Sequence, residues 1–281
     1  MKKEELKDRL QQFILEQSED EKSQNTLKKY QHNIDFFLEW IPDEVEVEKT
    51  VVIDFKRHLL DDLHFRTNTI NNYIITINKF LYWCGINDCK VKQLRKQHAA
   101  SNSEILSLSD YKRLLRFAKR LGQEDTYLIM KILAMTGIRI EELSFFTVEN
   151  VKSNYIHVRN KGKERSIIIR QDLAREIRQY CRNKGIKEGV IFYCKTKGKL
   201  MAKSTIWRRM QRIAGVARVN KNKVHAHSFR HLFAKTFLGE YNGNIAELAD
   251  ILGHNSLETT RIYAKTTDEE KRRKLERIKF Q

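Results

Sequence analysis

The chain has 281 residues, 41% apolar and 32% charged, which is enough for two ordinary domains with cores of their own. Its 54 Lys and Arg outnumber 36 Asp and Glu, for a formal net charge of +18, so a polyanionic partner, nucleic acid first, stands beside the plainer reading of a lysine-rich surface. No apolar run approaches a bilayer span and the start MKKEELKDRL lacks an apolar signal-peptide core, so a cytosolic protein with no membrane partner is expected. Cys84, Cys89, Cys181 and Cys194 form no CxxC pair and read as reduced thiols.

Residues 1–98 read as all-helical. Leu27, Tyr30, Ile34, Phe37 and Leu38 recur at helical spacing in NTLKKYQHNIDFFLEWI, and Pro42, the only proline, ends that helix. A second helix is predicted near Thr50–Leu60. A third, RTNTINNYIITINKFLYWC, has a core face of Ile70, Tyr73, Ile74, Ile77, Phe80 and Leu81, and leaves Arg66, Asn68, Asn71, Asn72 and Lys79 outside. That polar face is either solvated or laid against nucleic acid, where Asn and Arg reach base edges and phosphates.

Residues 90–104 lose the apolar rhythm, and 99–104 are taken as a linker. A second domain is expected over 105–265. Ser109 or Asp110 starts a helix there; the apolar DTYLIMKILAMTG must be a buried helix stopped by Gly137. IRIEELSFFTVENV then puts Arg139 at a helix start, where it either joins backbone N–H groups in holding an anion or pairs with Glu141 or Glu142. YIHVRNKGKERSIIIR reads as a β-hairpin, strands near 155–159 and 165–170, with Lys161 and Gly162 at its tip. A short strand, VIFYC, precedes a basic helix in which Lys203, Arg208, Arg209 and Arg212 flank a seam of Trp207, Met210 and Ile213. Such a helix enters a major groove or simply covers the surface.

From His225 to Tyr263 the chain concentrates Arg230, four His and a late Tyr. His227, Arg230 and His231 fall at i, i+3 and i+4, one face of a helix. Asn244 caps the next helix, with Glu247 placed for a capping box, and Gly253 ends it just before His254. Cationic and titratable groups clustered in this way suit a site that holds an anion and moves protons. His225, His227, His231 and His254 also have metal-like spacing, but nothing completes a ligand set and the arginines would repel Zn²⁺. The tail, residues 266–281, has a Thr267–Glu270 capping box and few apolar anchors, and suits docking on a neighbour.

TGIRIEEL, the NKGKER hairpin, HSFRH and LGHNSLETTRIY, in that order and at those intervals, resemble the tyrosine recombinase (phage integrase) family, its compact Xer-like and transposon-borne members in particular. The likeness covers roughly residues 24–265, because NTLKKY…FLEW resembles the start of that family's core-binding domain. The resemblance implies a mainly α fold with a small β-sheet: a helical core-binding domain of four or five helices and an α+β catalytic domain, together a C-shaped DNA clamp. It also implies catalytic residues: Arg139 and Arg230 as the paired arginines, Lys161 as the hairpin lysine, His227 and His254 as the histidines, and Tyr263 as the nucleophile; His231 is read as structural. The hairpin is shorter by one residue than the family's usual form, which leaves Lys163 as the alternative to Lys161.

The chemistry agrees with the residue types. Two guanidiniums clamp the non-bridging oxygens of a phosphodiester, His227 accepts the Tyr263 proton, and Lys161 protonates the leaving hydroxyl. No cofactor is needed, neither metal nor ATP. The expected partners are double-stranded DNA with inverted-repeat core sites, a homotetramer on two such sites joined through the tail, and accessory proteins. A type IB topoisomerase-like enzyme and a non-catalytic DNA-binding protein are the competing readings.

Overall fold

A computed structural model describes residues 1–95, 106–160, 163–194, 199–240 and 244–253, with the single positions 257, 260, 263 and 276. The chain divides into two compact units, Met1–Ala100 and Ser101–Gln281. Among the described residues no helix is long and apolar enough to cross a membrane.

The first unit is helical, as composition and periodicity require. Helix α1 (Lys3–Glu19) buries Leu6, Leu10 and Phe13, and α2 (Gln24–Trp40) buries Ile34, Phe37 and Leu38. Ser23 caps α2 by accepting from the Thr26 N–H, and Ile41 ends it immediately before Pro42. Helix α3 (Lys49–Arg57) runs on into a wider turn over His58–Asp62, and α4 (Thr67–Trp83) supplies the largest apolar face. Phe13 meets Phe80 edge-on at 5.2 Å and Phe37 meets Phe55 at 4.9 Å, so aromatic side chains tie α1 to α4 and α2 to α3. Helix α1 is not among those that periodicity marks out above. Its three buried apolar residues in 17 are diluted by charge, although their i, i+4, i+7 spacing is a helical signature.

The second unit is built around α6 (Glu124–Thr136), where Leu128, Ile129, Met130, Ile132 and Leu133 are all buried. Helix α5 (Leu108–Arg120) packs on it, opened by a capping box between Ser107 and Asp110. The cap is therefore Ser107, not Ser109 or Asp110. After α6 come a 3₁₀ turn (Ile140–Phe145) and α7 (Val148–Ser153), then an antiparallel hairpin of β1 (Tyr155–Asn160) and β2 (Lys163–Ile168) with Ile156 opposite Ile167 and Val158 opposite Arg165. Helix α8 (Gln171–Lys184) is absent from the sequence reading, since charge masks its seam of Leu173, Ala174, Ile177 and Cys181. The expected VIFYC strand shrinks to β3 (Tyr193–Cys194), paired with β4 (Lys199–Leu200).

Helix α9 (Lys203–Val216) buries Ile206, Met210, Ile213 and Ala214, while Trp207 is 52% exposed, so the predicted seam is shifted by one residue at that point. Helix α10 (Ala226–Glu240) packs against α6, and α11 (Ile245–Leu252) packs against α10 and β2. Asn244 caps α11 by accepting from the Ala246 N–H, and Gly253 closes it at φ +63°. The fold is thus mainly α with small β-hairpins.

Candidate active site

The site forms where α6 and α11 both end. Gly137 leaves α6 at φ +63°, and a Cβ there would lie 2.5 Å from Phe233 Cδ1 and 2.8 Å from Leu252 Cδ2. Only glycine allows the two helix ends to approach so closely. The last carbonyls of a helix have no partner within it and carry the negative end of the helix dipole, so they attract cations.

Three arginines meet that demand at α11. Arg230, on the buried face of α10 and only 2% exposed, donates from Nη2 to Leu252 O at 2.8 Å and from Nη1 to Gly137 O at 2.6 Å. Arg139, at the start of the 3₁₀ turn, donates from Nη2 to Gly253 O at 3.3 Å. Arg165, from β2, donates to Ile251 O. Glu142 is the carboxylate set among them, its side chain 1% exposed. It accepts from the Arg139 backbone N–H at 2.8 Å, from Arg139 Nη1 at 3.3 Å and from Arg165 Nη2 at 2.5 Å.

Arg139 and Arg165 share this one carboxylate and Arg230 stands beside them, so the three cations repel one another in a poorly solvated place. Burial, and then Arg139 close by, hold Arg230 down to about 10; burial also lowers Arg165, against the pull of Glu142. An anion arriving here would relieve that repulsion, and the Arg139 side chain is 37% exposed, so it has a face to offer.

Tyr263 reaches the same place. It hydrogen-bonds Arg230 and packs its ring edge-on to His231 at 4.6 Å; His231 in turn stands at 4.6 Å and 90° to His227. Helical spacing sets His227 and His231 side by side on α10, and Tyr263 extends the row beside Arg230. Burial followed by the neighbouring His227, His225 and Arg230 pushes His231 down to about 4. His227 is lowered for similar reasons, with Arg230 and Arg139 both facing it, although its ring keeps an open edge. Among the described residues no group of three or more His, Cys, Asp or Glu is placed to hold a metal ion.

Of the residues expected to be catalytic, Arg139, His227, Arg230 and Tyr263 come together, while Lys161 and His254 lie outside the described residues, as do the 99–104 linker and almost all of the 266–281 tail. The polar positions on the first unit divide. Arg66, Asn68 and Asn72 are exposed. Asn71 is not: at 3% exposure it donates to Leu94 O at 2.9 Å and accepts from Leu94 N at 2.8 Å, so it braces its own unit and is removed from the outward face. Lys79 is half-buried, bonded to Gln17 Oε1 and 5.1 Å from the Tyr30 ring centroid. On α9, Arg208 and Arg212 are exposed, Lys203 pairs with Glu141 at 2.5 Å, and Arg209 is committed to Asp125. Arg165 is the site residue that periodicity overlooks. Its signal is an arginine at an inward position of a strand, two residues before the buried Ile167.

The sequence model of the phage integrase family matches residues 104–270. The chain belongs to this family. Among the chain's relatives, tyrosine recombinase XerA of Pyrococcus furiosus is 29% identical over 266 residues, covering 91% of this chain and 88% of the relative. Tyrosine recombinase XerD of Vibrio cholerae is 29% identical over 149 residues, 50% of this chain and 49% of the relative. In fold it is similar to the Tn1549 transposon integrase in complex with transposon right end DNA (TM-score 0.73, 18% identity, 96% of this chain and 99% of that one). It is also similar to a lambda integrase dimer bound to a COC' core site (TM-score 0.72, 15% identity, 91% and 76%).

Proposed function

We propose that this integrase-family protein is a site-specific DNA recombinase, cleaving and rejoining duplex DNA through a covalent bond from Tyr263 to a 3′-phosphate. The observation that carries the reading is the meeting of Arg139, Arg230 and Tyr263 at the end of α11, from positions far apart in sequence. The relatives named tyrosine recombinases, and the neighbours solved on DNA, support the same chemistry.

In this reading the scissile phosphate sits between Arg139 and Arg230. Charge gathers on the non-bridging oxygens as phosphorus becomes five-coordinate, and two planar donors placed in advance stabilise that charge more than the ground state. Because Arg230 bonds Tyr263 directly, a phosphate held there lies beside the attacking oxygen. His227, whose charged form is disfavoured by burial and then by Arg230, accepts the phenolic proton. The bond from phosphorus to the 5′-oxygen breaks, and that oxygen takes a proton from Lys161; His254 hydrogen-bonds a phosphate oxygen. The phosphotyrosyl bond conserves the diester's energy, so a 5′-hydroxyl from a second duplex can reverse the step without metal or ATP.

The partners in this proposal are inverted-repeat core sites in double-stranded DNA, a homotetramer holding two of them through the 266–281 tail, and accessory proteins. Arg66, Asn68 and Asn72 on the first unit and Lys203, Arg208, Arg209 and Arg212 on α9 supply phosphate and groove contacts, the positions bonded within the protein exchanging partners as DNA arrives.

Two differently labelled duplexes carrying the terminal repeats of the element that encodes the chain test this. The reading predicts exchanged duplexes joined across the two labels. Relaxation of a supercoiled plasmid without any exchange would instead identify a topoisomerase-like enzyme.

A further inference from the structure

We propose that Arg165 is a positioning residue of this site, holding the buried Glu142 carboxylate so that Arg139 keeps its open face for the phosphate. The inference rests on the recombinase reading, and extends it to a residue that touches no substrate.

Arg165 stands where strand alternation calls for an apolar side chain. It shares the inward face of β2 with Ile167, with Ile169 just past the strand's end, and lies opposite Val158, all three buried. Its own side chain is 12% exposed, and its Nε is buried without a hydrogen-bond partner. A buried guanidinium with an unsatisfied N–H is costly, so it persists only where its other contacts compensate. Those contacts are the Ile251 carbonyl and Glu142 Oε2. Gly253 makes the arrangement possible, because a Cβ there would lie 2.6 Å from Arg165 Cδ.

The consequence falls on Arg139. Glu142 is shared between the two arginines, and its Oε1 is 3.3 Å from Arg139 Nη1, a loose bond, whereas the Arg165 bond is 2.5 Å. Arg165 thus takes the larger share of a carboxylate that competes with phosphate for the same guanidinium. Without Arg165, Glu142 would be a buried anion with Arg139 as its remaining side-chain cation, and would draw Arg139 inward.

The test is single-turnover covalent-adduct formation by the full chain on a nicked duplex bearing those terminal repeats, at saturating DNA, with the duplex Kd and the melting temperature measured alongside. Arg165→Met is expected to slow adduct formation roughly 100-fold, as a displacement of about 1 Å at a catalytic group does, with Kd changed less than about threefold. Adding Glu142→Gln should recover about tenfold of that loss, since the competing charge is gone. If Arg165→Met alone does not fold, the E142Q background carries the comparison: removing Arg165 there is expected to cost less than about threefold. An Arg165→Met protein that cleaves at the wild-type rate would overturn the proposal. So would a double variant no faster than the single one, or a loss of about 30-fold in the E142Q background. Failure of the wild-type protein to form any adduct would instead strike the recombinase reading itself.

Discussion

At the end of α11 three guanidiniums stand where water or a capping side chain would normally satisfy the last carbonyls, and this arrangement makes the residues pH-sensitive as well as anion-seeking. His231 shows the first effect. Its folded value of about 4 lies below the ordinary histidine value of 6.5, so between those limits the unfolded chain binds a proton that the folded chain refuses. Stability from this group is complete above pH 6.5 and is lost as pH falls toward 4. His227 is displaced in the same direction and adds to it. On the order of 2–3 kcal/mol is at stake across that window. Melting followed from pH 7.5 to pH 5 should show the wild type losing markedly more than His231→Gln; parallel curves would remove His231 from the account.

At the scale of elements, much was legible because the signals are local. The apolar run of α6 and its stop at Gly137, the break at Pro42, and Asn244 and Gly253 bounding α11 each follow from residue type at one place. Helical spacing alone put His227, Arg230 and His231 on one helix. What could not be read depends on partners distant in sequence. Asn71 and Asn72 are identical as letters and adjacent on α4, yet spacing alone cannot tell that the Leu94 backbone reaches one and not the other. Arg165 looked like one more hairpin cation because its partners, Glu142 and Ile251, come from two other elements. Helix α8 was hidden by its charge and α1 by its dilute apolar face. The asparagine pair gives a direct check. Asn71→Ala removes the side chain that pairs with both the N–H and the carbonyl of Leu94 and should cost about 1–3 kcal/mol, whereas Asn72→Ala should stay within about 0.5 kcal/mol. Urea unfolding of the two variants measures this, and equal stability would contradict the burial of Asn71.

For the whole molecule, the proposed reading has a net charge of +18 supply affinity for DNA of any sequence, strongly weakened by salt, while the chemistry is confined to the arginines and Tyr263 at the end of α11. Binding and cleavage should therefore separate. One phenolic hydroxyl adds little to an interface dominated by phosphate contacts, so Tyr263→Phe should bind DNA nearly as the wild type does and yet form no covalent bond. The most direct measurement is to trap the adduct on a nicked duplex in EDTA, digest it, and locate the nucleotide by mass spectrometry. The account predicts a phosphodeoxynucleotide on the peptide containing Tyr263, absent from Tyr263→Phe. An adduct on another residue, or one formed only after a divalent metal is restored, would contradict it.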